Sequence, residues 1–298
     1  MGGVDIDPAK VGKDLGDVIG LENSIGIEVR GSIADVDAEA DVVLHTTNSY
    51  FDQFNGQVLE LLDAGFDVVS TSEELSFPWL DNADAAAAID AAAKRVGKTV
   101  LGTGVNPGFL MDSLPLFITS VAQRVDHIDV TRVINASTRR GPFQAKIGSG
   151  LTAEEFNARM AEGRMGHVGT PESIAMIFDT LGKKLVSFRN RVVPVIAETP
   201  VKTPFFDVQE GQVRGLHQTS TGHTEDGEFV SLTFRAALDE ESDGDTITIQ
   251  GRPELTVNLQ GTNGDLATVA MAVNAIKNTK NAAPGVVTMR DLPIVTIF

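Results

Sequence analysis

The sequence predicts an α/β fold in which a parallel sheet covered by helices is followed by an α+β region with an antiparallel sheet. Between residues 2 and 104, short uninterrupted apolar runs alternate with stretches of helical spacing, which is typical of parallel strands buried on both faces. From residue 185 to 260, strand patterns follow one another directly, with turns at 225–227 and 241–244. This second pattern indicates an antiparallel sheet.

The first half of the chain supports the parallel sheet element by element. Gly3-Val4-Asp5-Ile6 is the end of a strand, and Pro8 opens a helix at a position where its missing N–H costs nothing. Apolar runs and helical spacing then alternate. They predict strands at 41–45, 67–71 and 99–102, and helices at 51–64 and 82–96, the second capped by Asn82 and ended by Gly97.

The pattern changes after residue 108. It predicts helices at 110–122, 152–163, 171–182 and 264–278, the last three capped by Thr152, Thr170 and Asn263. It predicts strands at 125–134, 185–197, 211–219, 229–238, 246–250 and 255–259. We therefore expect two domains. One comprises residues 1–108, with 261–298 packing back on it, and the other comprises residues 109–260.

The composition excludes several classes of protein. A formal net charge of −17 disfavours binding to nucleic acid, whose phosphates need a positive partner surface. The absence of cysteine excludes disulfides, thiolate metal sites and cysteine nucleophiles, and the five histidines are scattered, so no metal site is predicted. No apolar run reaches the ~18–20 residues of a membrane span, and no signal peptide is recognised. We expect a cytoplasmic protein without a membrane partner.

The parallel region is of the Rossmann type, yet its beginning is unusual. Such a domain opens with a strand and a glycine-rich turn that holds pyrophosphate, and its second strand ends in a carboxylate that holds the ribose of a dinucleotide. Here the first strand already ends in Asp5 and Asp7. We therefore expect that the first strand and the glycine-rich loop are missing, at a cost in stability, because two inner strands lose their partner. The alternative is that Asp5 and Asp7 are ordinary turn residues.

Three strings follow the ends of predicted parallel strands, where open α/β sheets bind ligands. They are VLHTTNS at 43–49, STSEELSFP at 70–78 and GTGVNPGFLMD at 102–112. Together with RGPFQAKIG at 140–148, GHVGTPESIAMIFDTLG at 166–182, LQGTNGDLATVAMAVNAI at 259–276 and PGVVTMRDLP at 284–293, they resemble the family of 2,4-diaminopentanoate dehydrogenases and native amine dehydrogenases. The resemblance runs from about residue 4 to the C-terminus, and the combination of strings is specific.

The resemblance implies a dihydrodipicolinate-reductase-like N-terminal domain, a homodimer and a reversible reaction. A primary amine loses hydride to NAD or NADP and gives an imine, which water converts to a ketone and ammonia. Asp5 in the ribose position would repel a 2′-phosphate, so NAD is weakly preferred. Two alternatives remain: another reductase of the same superfamily, or a non-catalytic remnant that lacks the cofactor loop.

The family's catalytic glutamate lies in the STSEEL segment, so the resemblance implies a catalytic role for Glu73 or Glu74; both could instead be surface or helix-start carboxylates. For the cofactor, the expected residues are Asp5, Asp7, His45, Thr46, Thr47, Thr71, Asn106, Pro107 and Gly108. For the substrate pocket, they are Phe109, Arg139, Arg140, His167 and Asn263.

Each of these residues also has a purely structural interpretation. His45 could be a satisfied loop histidine, His167 a structural one, and Asn106 to Gly108 simple turn residues. The Arg139–Arg140 pair could bind a substrate carboxylate through a bidentate contact. It could equally be a solvated face or a contact between subunits.

Overall fold

In the computed structural model, which describes residues 1–36, 39–163 and 165–297, strands and helices alternate through the first hundred residues as the sequence predicts. The elements are β1 (Gly3–Val4), α1 (Leu15–Val18), β2 (Val29–Arg30), β3 (Val42–His45), α2 (Phe51–Asp63), β4 (Asp67–Ser70), α3 (Ala83–Val96) and β5 (Thr99–Gly102).

The remaining elements combine short helices with long strands. They are α4 (Ser113–Ile118), β6 (Arg124–Asn135), α5 (Gly141–Lys146), α6 (Ala153–Ala161), α7 (Thr170–Thr180), β7 (Ser187–Ile196), β8 (Val201–Lys202), β9 (Asp207–Val208), β10 (Val213–Thr224), β11 (Gly227–Ala237), β12 (Gly244–Arg252), β13 (Leu255–Leu259), α8 (Gly264–Asn281) and β14 (Gly285–Val287). In the described ranges, no helix is both long and apolar enough to cross a membrane.

A four-stranded parallel sheet has the strand order β14-β5-β4-β3. Helices α2 and α3 cover one face, where Phe54, Leu62 and Ile89 pack against Val68 and Val100. Helix α8 covers the other face. Burial on both faces explains why these strands are apolar without alternation, as the sequence predicts.

The strands β1 and β2 form a separate two-stranded parallel sheet and do not pair with β3. In the part of the chain that the structure describes, no strand bonds to the outer edge of β3, and Leu44 on β3 is 41% exposed. The parallel strands of the first half therefore belong to two separate sheets.

The helix predicted to open at Pro8 is wrong, because residues 8–13 form turns. The Asp7 carboxylate accepts the N–H of Ala9 at 2.8 Å, and Gly12 has a φ of +82°, a left-handed conformation that stops a helix. Helix α1 begins only after Asp14, whose carboxylate caps it by accepting the N–H of Gly16.

The second sheet has six strands in the order β13-β12-β6-β11-β10-β7. It is mixed rather than antiparallel throughout, because β6 pairs with β11 in parallel. The reason is the connection between β6 and β7: helices α5 to α7 carry the chain back to the end from which β6 started, as parallel strands require. The helices then cover one face of the sheet, with Phe156, Ile174 and Phe178 in its core.

The register of this sheet places a row of polar and aromatic side chains on one face. Gln218 on β10 pairs with Phe234 on β11, Phe234 pairs with Arg132 on β6, and Arg132 pairs with Asp245 on β12. Paired residues of adjacent strands point to the same side. All four side chains are buried, and we call this set the cross-strand row.

Candidate active site

The segment that leaves β5 at residue 103 is fixed in a tight conformation beside α7. Its Asn106–Pro107 peptide bond is cis, and Gly108 has a φ of +120°. A Cβ on Gly108 would lie 2.5 Å from the backbone nitrogen of Gly104, so only glycine fits. The fully buried Asp112 accepts the Gly108 N–H and the Ser173 hydroxyl of α7, both at 2.8 Å. One carboxylate therefore joins this segment to α7.

The two candidate glutamates have different surroundings. Glu74 Oε2 accepts the N–H of Phe51 at the start of α2, at 2.6 Å, and partial burial raises its pKa. Glu73 lies against Gly169: a Cβ on that glycine would be 3.2 Å from the Glu73 Cβ and 2.6 Å from Pro107 Cδ. The Glu73 carboxylate makes no hydrogen bond or ion pair with the described residues, so it is free to meet a ligand.

His167 contacts the same Asn106–Pro107 segment. Its ring Nε2 lies 3.1 Å from the Asn106 carbonyl oxygen, so this nitrogen carries the proton and donates. The ring stacks on Phe234 of the cross-strand row, with 4.6 Å between centroids, and Gln218 bonds the His167 backbone. Part of the residue reaches solvent, but desolvation of the ring, together with the positive charges of Lys146 and Arg132, lowers the pKa of His167 to about 3. The imidazole is therefore neutral.

Glu172, which the sequence interpretation missed, is a buried carboxyl group in the first turn of α7. It is 5% exposed, and its Oε2 has no hydrogen-bond partner among the described residues. Burial, with the negative charges of Glu74, Asp81 and Glu73, raises the pKa of Glu172 to about 8. The group is therefore neutral at pH 7.

A signal for Glu172 was present in the sequence. The residues that follow it, Ser173 to Phe178, are almost all apolar and are all buried. A helix that is apolar all round has no exposed face for a charged side chain. From the sequence, Glu172 was interpreted as an ordinary first-turn carboxylate. The assignment of Thr170 as the N-cap was wrong by one residue, because Gly169 holds that position.

Arg139 and Arg140 differ in how much of each side chain is exposed. The side chains of Arg139 and Arg140 both reach Asp265 Oδ1, at 3.0 and 3.4 Å, but Arg139 is 10% exposed and Arg140 is 70% exposed. Asn263 caps α8 as predicted, because its side chain accepts the N–H groups of Asp265 and Leu266. Phe109 is half-buried next to Gly108. Of the pair, only Arg139 faces inward.

The predicted cofactor residues lie at the ends of the parallel strands. His45 is buried, with Nδ1 2.8 Å from Ser70 Oγ and Nε2 2.9 Å from Gln57 Oε1, and burial lowers its pKa. Such a histidine fits the alternative of a satisfied loop residue. Thr46 and Thr47 are exposed, and Thr71 is half-buried. Asp5 accepts a hydrogen bond from Lys10 at 2.5 Å, and Asp7 accepts the Ala9 N–H in the turn that follows β1.

Comparison with known proteins gives a consistent result. The model of the 2,4-diaminopentanoate dehydrogenase C-terminal domain matches residues 109–298. The 2,4-diaminopentanoate dehydrogenase of Acetoanaerobium sticklandii is 35% identical over 275 residues, which cover 89% of this chain and 77% of the relative. The chain belongs to the 2,4-diaminopentanoate dehydrogenase family. The resemblance inferred from the sequence strings is therefore confirmed.

Two proteins that are named amine dehydrogenases are also similar to this chain. The amine dehydrogenase of Streptomyces virginiae is 24% identical over 319 residues, covering 97% of this chain and 87% of that protein. The solved structure of an amine dehydrogenase from Mycobacterium smegmatis superposes with a TM-score of 0.89 at 25% identity, covering 100% of this chain and 90% of the other. The Rossmann-type fold is thus confirmed.

The residues at the strand ends fit the nicotinamide half of a dinucleotide. Thr103 Oγ1 is buried and has no hydrogen-bond partner among the described residues, and buried polar atoms of this kind are normally paired. The hydroxyls of Thr47 and Thr71 and the amide of Asn106 lie at the ends of the same strands, and such neutral groups suit ribose and carboxamide. Within the described ranges, no three His, Asp or Glu side chains are arranged to hold a metal ion.

Proposed function

We propose that this chain is a nicotinamide-dependent dehydrogenase that acts on the C–NH2 group of a primary amine or a diamino acid. The family and the names of both relatives support this assignment. The observation that carries it is that Glu73, whose carboxylate has no partner among the described residues, lies beside the Asn106–Pro107 segment and the start of α7 at the ends of the parallel strands.

The cofactor, when bound, supplies the hydride acceptor, and the protein manages protons and charge. Glu73 is the catalytic carboxylate in this proposal. It takes the proton of the substrate ammonium group and passes it to solvent, so that a neutral amine can lose hydride and the carboxylate, negative again, stabilises the positive iminium. In the next step it accepts a proton from the attacking water. Glu172 is neutral and His167 is neutral, so neither opposes the charge that develops beside Glu73.

Glu74 has a supporting role. Its carboxylate holds the N-terminus of α2 through the N–H of Phe51, where a negative charge is favourable. That contact keeps Glu74 away from a substrate and leaves Glu73 as the reacting group. The two neighbours therefore divide into one catalytic and one structural residue.

Separate replacement of the two glutamates tests this assignment. We expect Glu73→Gln to lower kcat/KM by about 10²-fold or more, whereas Glu74→Gln keeps most of the activity, because an amide oxygen can still accept the Phe51 N–H. The measurement is the formation of reduced nicotinamide with a panel of primary amines and 2,4-diaminopentanoate. Full activity of Glu73→Gln would remove this residue from the mechanism, and thermal unfolding of both variants shows whether each is folded.

The finer expectations are part of the proposal. We infer that NAD is preferred to NADP, because the Asp5 carboxylate would repel a 2′-phosphate, although Lys10 offsets part of that repulsion. A lower KM for NADP than for NAD contradicts this preference. A homodimer, with ketone or aldehyde and ammonia as the small-molecule partners of the reverse reaction, is proposed from the family resemblance.

A further inference from the structure

The side chain of His45 lies at the centre of a hydrogen-bonded chain at the ends of β3 and β4. The residue is 4% exposed, and its ring packs edge-on against Phe54 of α2, with 5.9 Å between centroids. Nε2 lies 2.9 Å from Gln57 Oε1, and Nδ1 lies 2.8 Å from Ser70 Oγ. Both ring nitrogens therefore have a partner within the protein, and neither needs a cofactor to satisfy it.

The partners of the ring fix the direction of each hydrogen bond. The Gln57 NH2 group donates to the Gln53 carbonyl at 3.4 Å, so Oε1 is the atom that faces His45. Two acceptors cannot lie 2.9 Å apart without a proton between them, so Nε2 carries the proton and donates to Gln57. Nδ1 then has a free lone pair and accepts the Ser70 hydroxyl. Burial lowers the pKa of His45, which favours this neutral form.

The hydrogen-bonded chain continues into the turn that carries Glu73. The Ser70 oxygen, which gives its proton to His45, accepts the N–H of Ser72 at 3.1 Å. Ser72 is buried and precedes the 3-10 turn Glu73–Leu75, which its own side chain does not cap. The bond from Ser72 to Ser70 is thus the side-chain contact at the entry of the turn. His45 reaches the residue next to Glu73 through a single hydroxyl group.

The exit of the turn is packed closely against β5. A Cβ on Gly102 would lie 2.4 Å from the backbone carbonyl carbon of Leu75, and Ser76 Oγ donates to the Glu73 carbonyl at 2.8 Å. The turn is therefore held at its exit by the sheet and at its entry by Ser70. Loss of the entry contact leaves the exit in place and lets the Glu73 backbone rotate.

We propose that His45 is a positioning residue for Glu73. It orients the Ser70 hydroxyl, which holds the Ser72 N–H, so that the turn presents the Glu73 carboxylate at one place. The inference rests on the proposed function, in which Glu73 exchanges protons with the substrate. A misplacement of about 1 Å can lower a rate by about 10²-fold, so a buried ring that touches no reacting atom can control kcat.

Two replacements of His45 divide the hydrogen-bonded chain at its centre. In His45→Asn, the side-chain oxygen takes the place of Nδ1 and can still accept the Ser70 hydroxyl. In His45→Gln, the amide takes the place of Nε2, so the bond to Gln57 can form while the Ser70 hydroxyl loses its acceptor. Both variants remove the ring from its contact with Phe54, so each is a control for the packing lost in the other.

We expect His45→Gln and Ser70→Ala to lower kcat about tenfold or more, with the KM of the nicotinamide cofactor within about twofold of the wild type. His45→Asn loses far less. The double variant His45→Gln/Ser70→Ala loses no more than either single one, because all three remove the same hydrogen bond. The measurement is the formation of reduced nicotinamide with an amine that the wild type oxidises. If thermal unfolding shows that His45→Gln is not folded, Ser70→Ala gives the comparison.

Amide hydrogen exchange measures the entry of the turn without any substrate. In Ser70→Ala, the Ser72 N–H has no acceptor, so we expect it to exchange about tenfold or more faster than in the wild type. His45→Gln also speeds this exchange, because the Ser70 hydroxyl is free to rotate. His45→Asn keeps the exchange close to that of the wild type.

Equal kcat values in His45→Asn and His45→Gln overturn the inference and leave the proposed function standing. Wild-type exchange of the Ser72 amide in Ser70→Ala overturns it as well. A raised KM of the cofactor with unchanged kcat in His45→Gln also contradicts it, because His45 would then contact the cofactor itself. If the wild type oxidises no amine while the Ser72 exchange changes as expected, the hydrogen-bonded chain remains and the proposed function fails.

Discussion

At the scale of single residues, the buried carboxyl group of Glu172, whose Oε2 has no hydrogen-bond partner among the described residues, is the clearest departure from ordinary protein interiors. Buried acidic side chains are normally paired with a cation or bonded by several donors. Glu172 avoids the cost of a buried charge by holding its proton, because its pKa of about 8 lies well above its ordinary value of 4.5. Its effect on stability must therefore depend on pH.

The direction of that dependence follows from proton linkage. A carboxyl group whose pKa is raised in the folded state binds more protons folded than unfolded, so stability falls as pH rises from 4.5 towards 8. Glu172→Gln mimics the neutral form and removes this loss. We expect the variant to match the wild type near pH 4.5 and to exceed it above pH 8, by about 5 kcal/mol at most.

Denaturant unfolding of both proteins across this pH range measures the difference. Glu154→Gln is the control, because Glu154 is an exposed glutamate in the first turn of α6, and its replacement should leave the pH profile unchanged. A constant difference between wild type and Glu172→Gln at every pH would show that the carboxyl group titrates alike in the folded and unfolded states.

Candidate site residues can be named from the sequence where they belong to a local string. The Glu73–Glu74 pair, His167 and Arg139 were proposed in this way; Gly169 lies against both Glu73 and Pro107, and His167 donates to the carbonyl of Asn106. The buried position of Arg132 beside Phe234 was not predicted, because it depends on the pairing of β6 with β11. A pairing between distant strands leaves no mark on either strand alone.

At the scale of elements, Asp112 shows how one side chain can hold three segments together. It caps α4 through the N–H of Ser113, and it accepts the Gly108 N–H and the Ser173 hydroxyl. The carboxylate has no exposed surface, so each of these bonds lies in a medium where a lost acceptor is costly. The site loop and α7 are thereby kept in one arrangement.

We expect Asp112→Asn to lower the free energy of unfolding by about 2–4 kcal/mol, because the amide turns an NH2 group towards at least one of the three donors. Denaturant unfolding checks the loss. Asp179→Asn, at an exposed position on α7, is the comparison, with a change of at most about 0.5 kcal/mol. A loss of similar size in both variants would mean that Asp112 does not connect the segments.

Element prediction was reliable where the apolar period was regular and failed where local capping competed with it. Helices α2, α3 and α6 begin and end within two residues of the predicted positions, since their buried faces follow the helical period. The helix expected at Pro8 is instead a series of turns fixed by Asp7 and Gly12. The parallel partner of β6 was also missed, because crossover connections are set by the packing of α5 to α7 rather than by strand composition.

At the scale of the whole molecule, buried groups of both kinds define a pH window of stability. His167 has a pKa of about 3 in the folded state, against its ordinary value of 6.5. As pH drops from 6.5 to 3, this imidazole binds a proton in the unfolded chain but not in the folded one, so stability falls. Glu172 acts in the opposite sense between 4.5 and 8. Between 4.5 and 6.5 the two effects oppose each other.

We therefore expect a plateau of stability between about pH 4.5 and 6.5, with a fall on each side of about 1.4 kcal/mol per pH unit. Burial also lowers the pKa of His45 and raises the pKa of Glu74. His45 therefore adds to the loss of stability at acid pH, and Glu74 adds to the loss of stability at alkaline pH. His167→Gln flattens the acid side, and the fall caused by Glu172 then begins near pH 4.5 instead of 6.5. Unfolding free energies from pH 3.5 to 8.5 test the shape, and a single maximum unchanged in the variant would contradict it.

The cross-strand row also has a consequence for how this protein can change. Four neighbouring strands, β10, β11, β6 and β12, each supply one buried side chain to the same face of the sheet: Gln218, Phe234, Arg132 and Asp245. The residues before and after each of them on its strand point to the opposite face. A single substitution in the row alters one position of this face, where Phe234 and Gln218 contact His167, while the backbone pairing stays as it is. The packing around His167 can therefore change in evolution or by design one strand at a time, on a sheet that keeps its pairing.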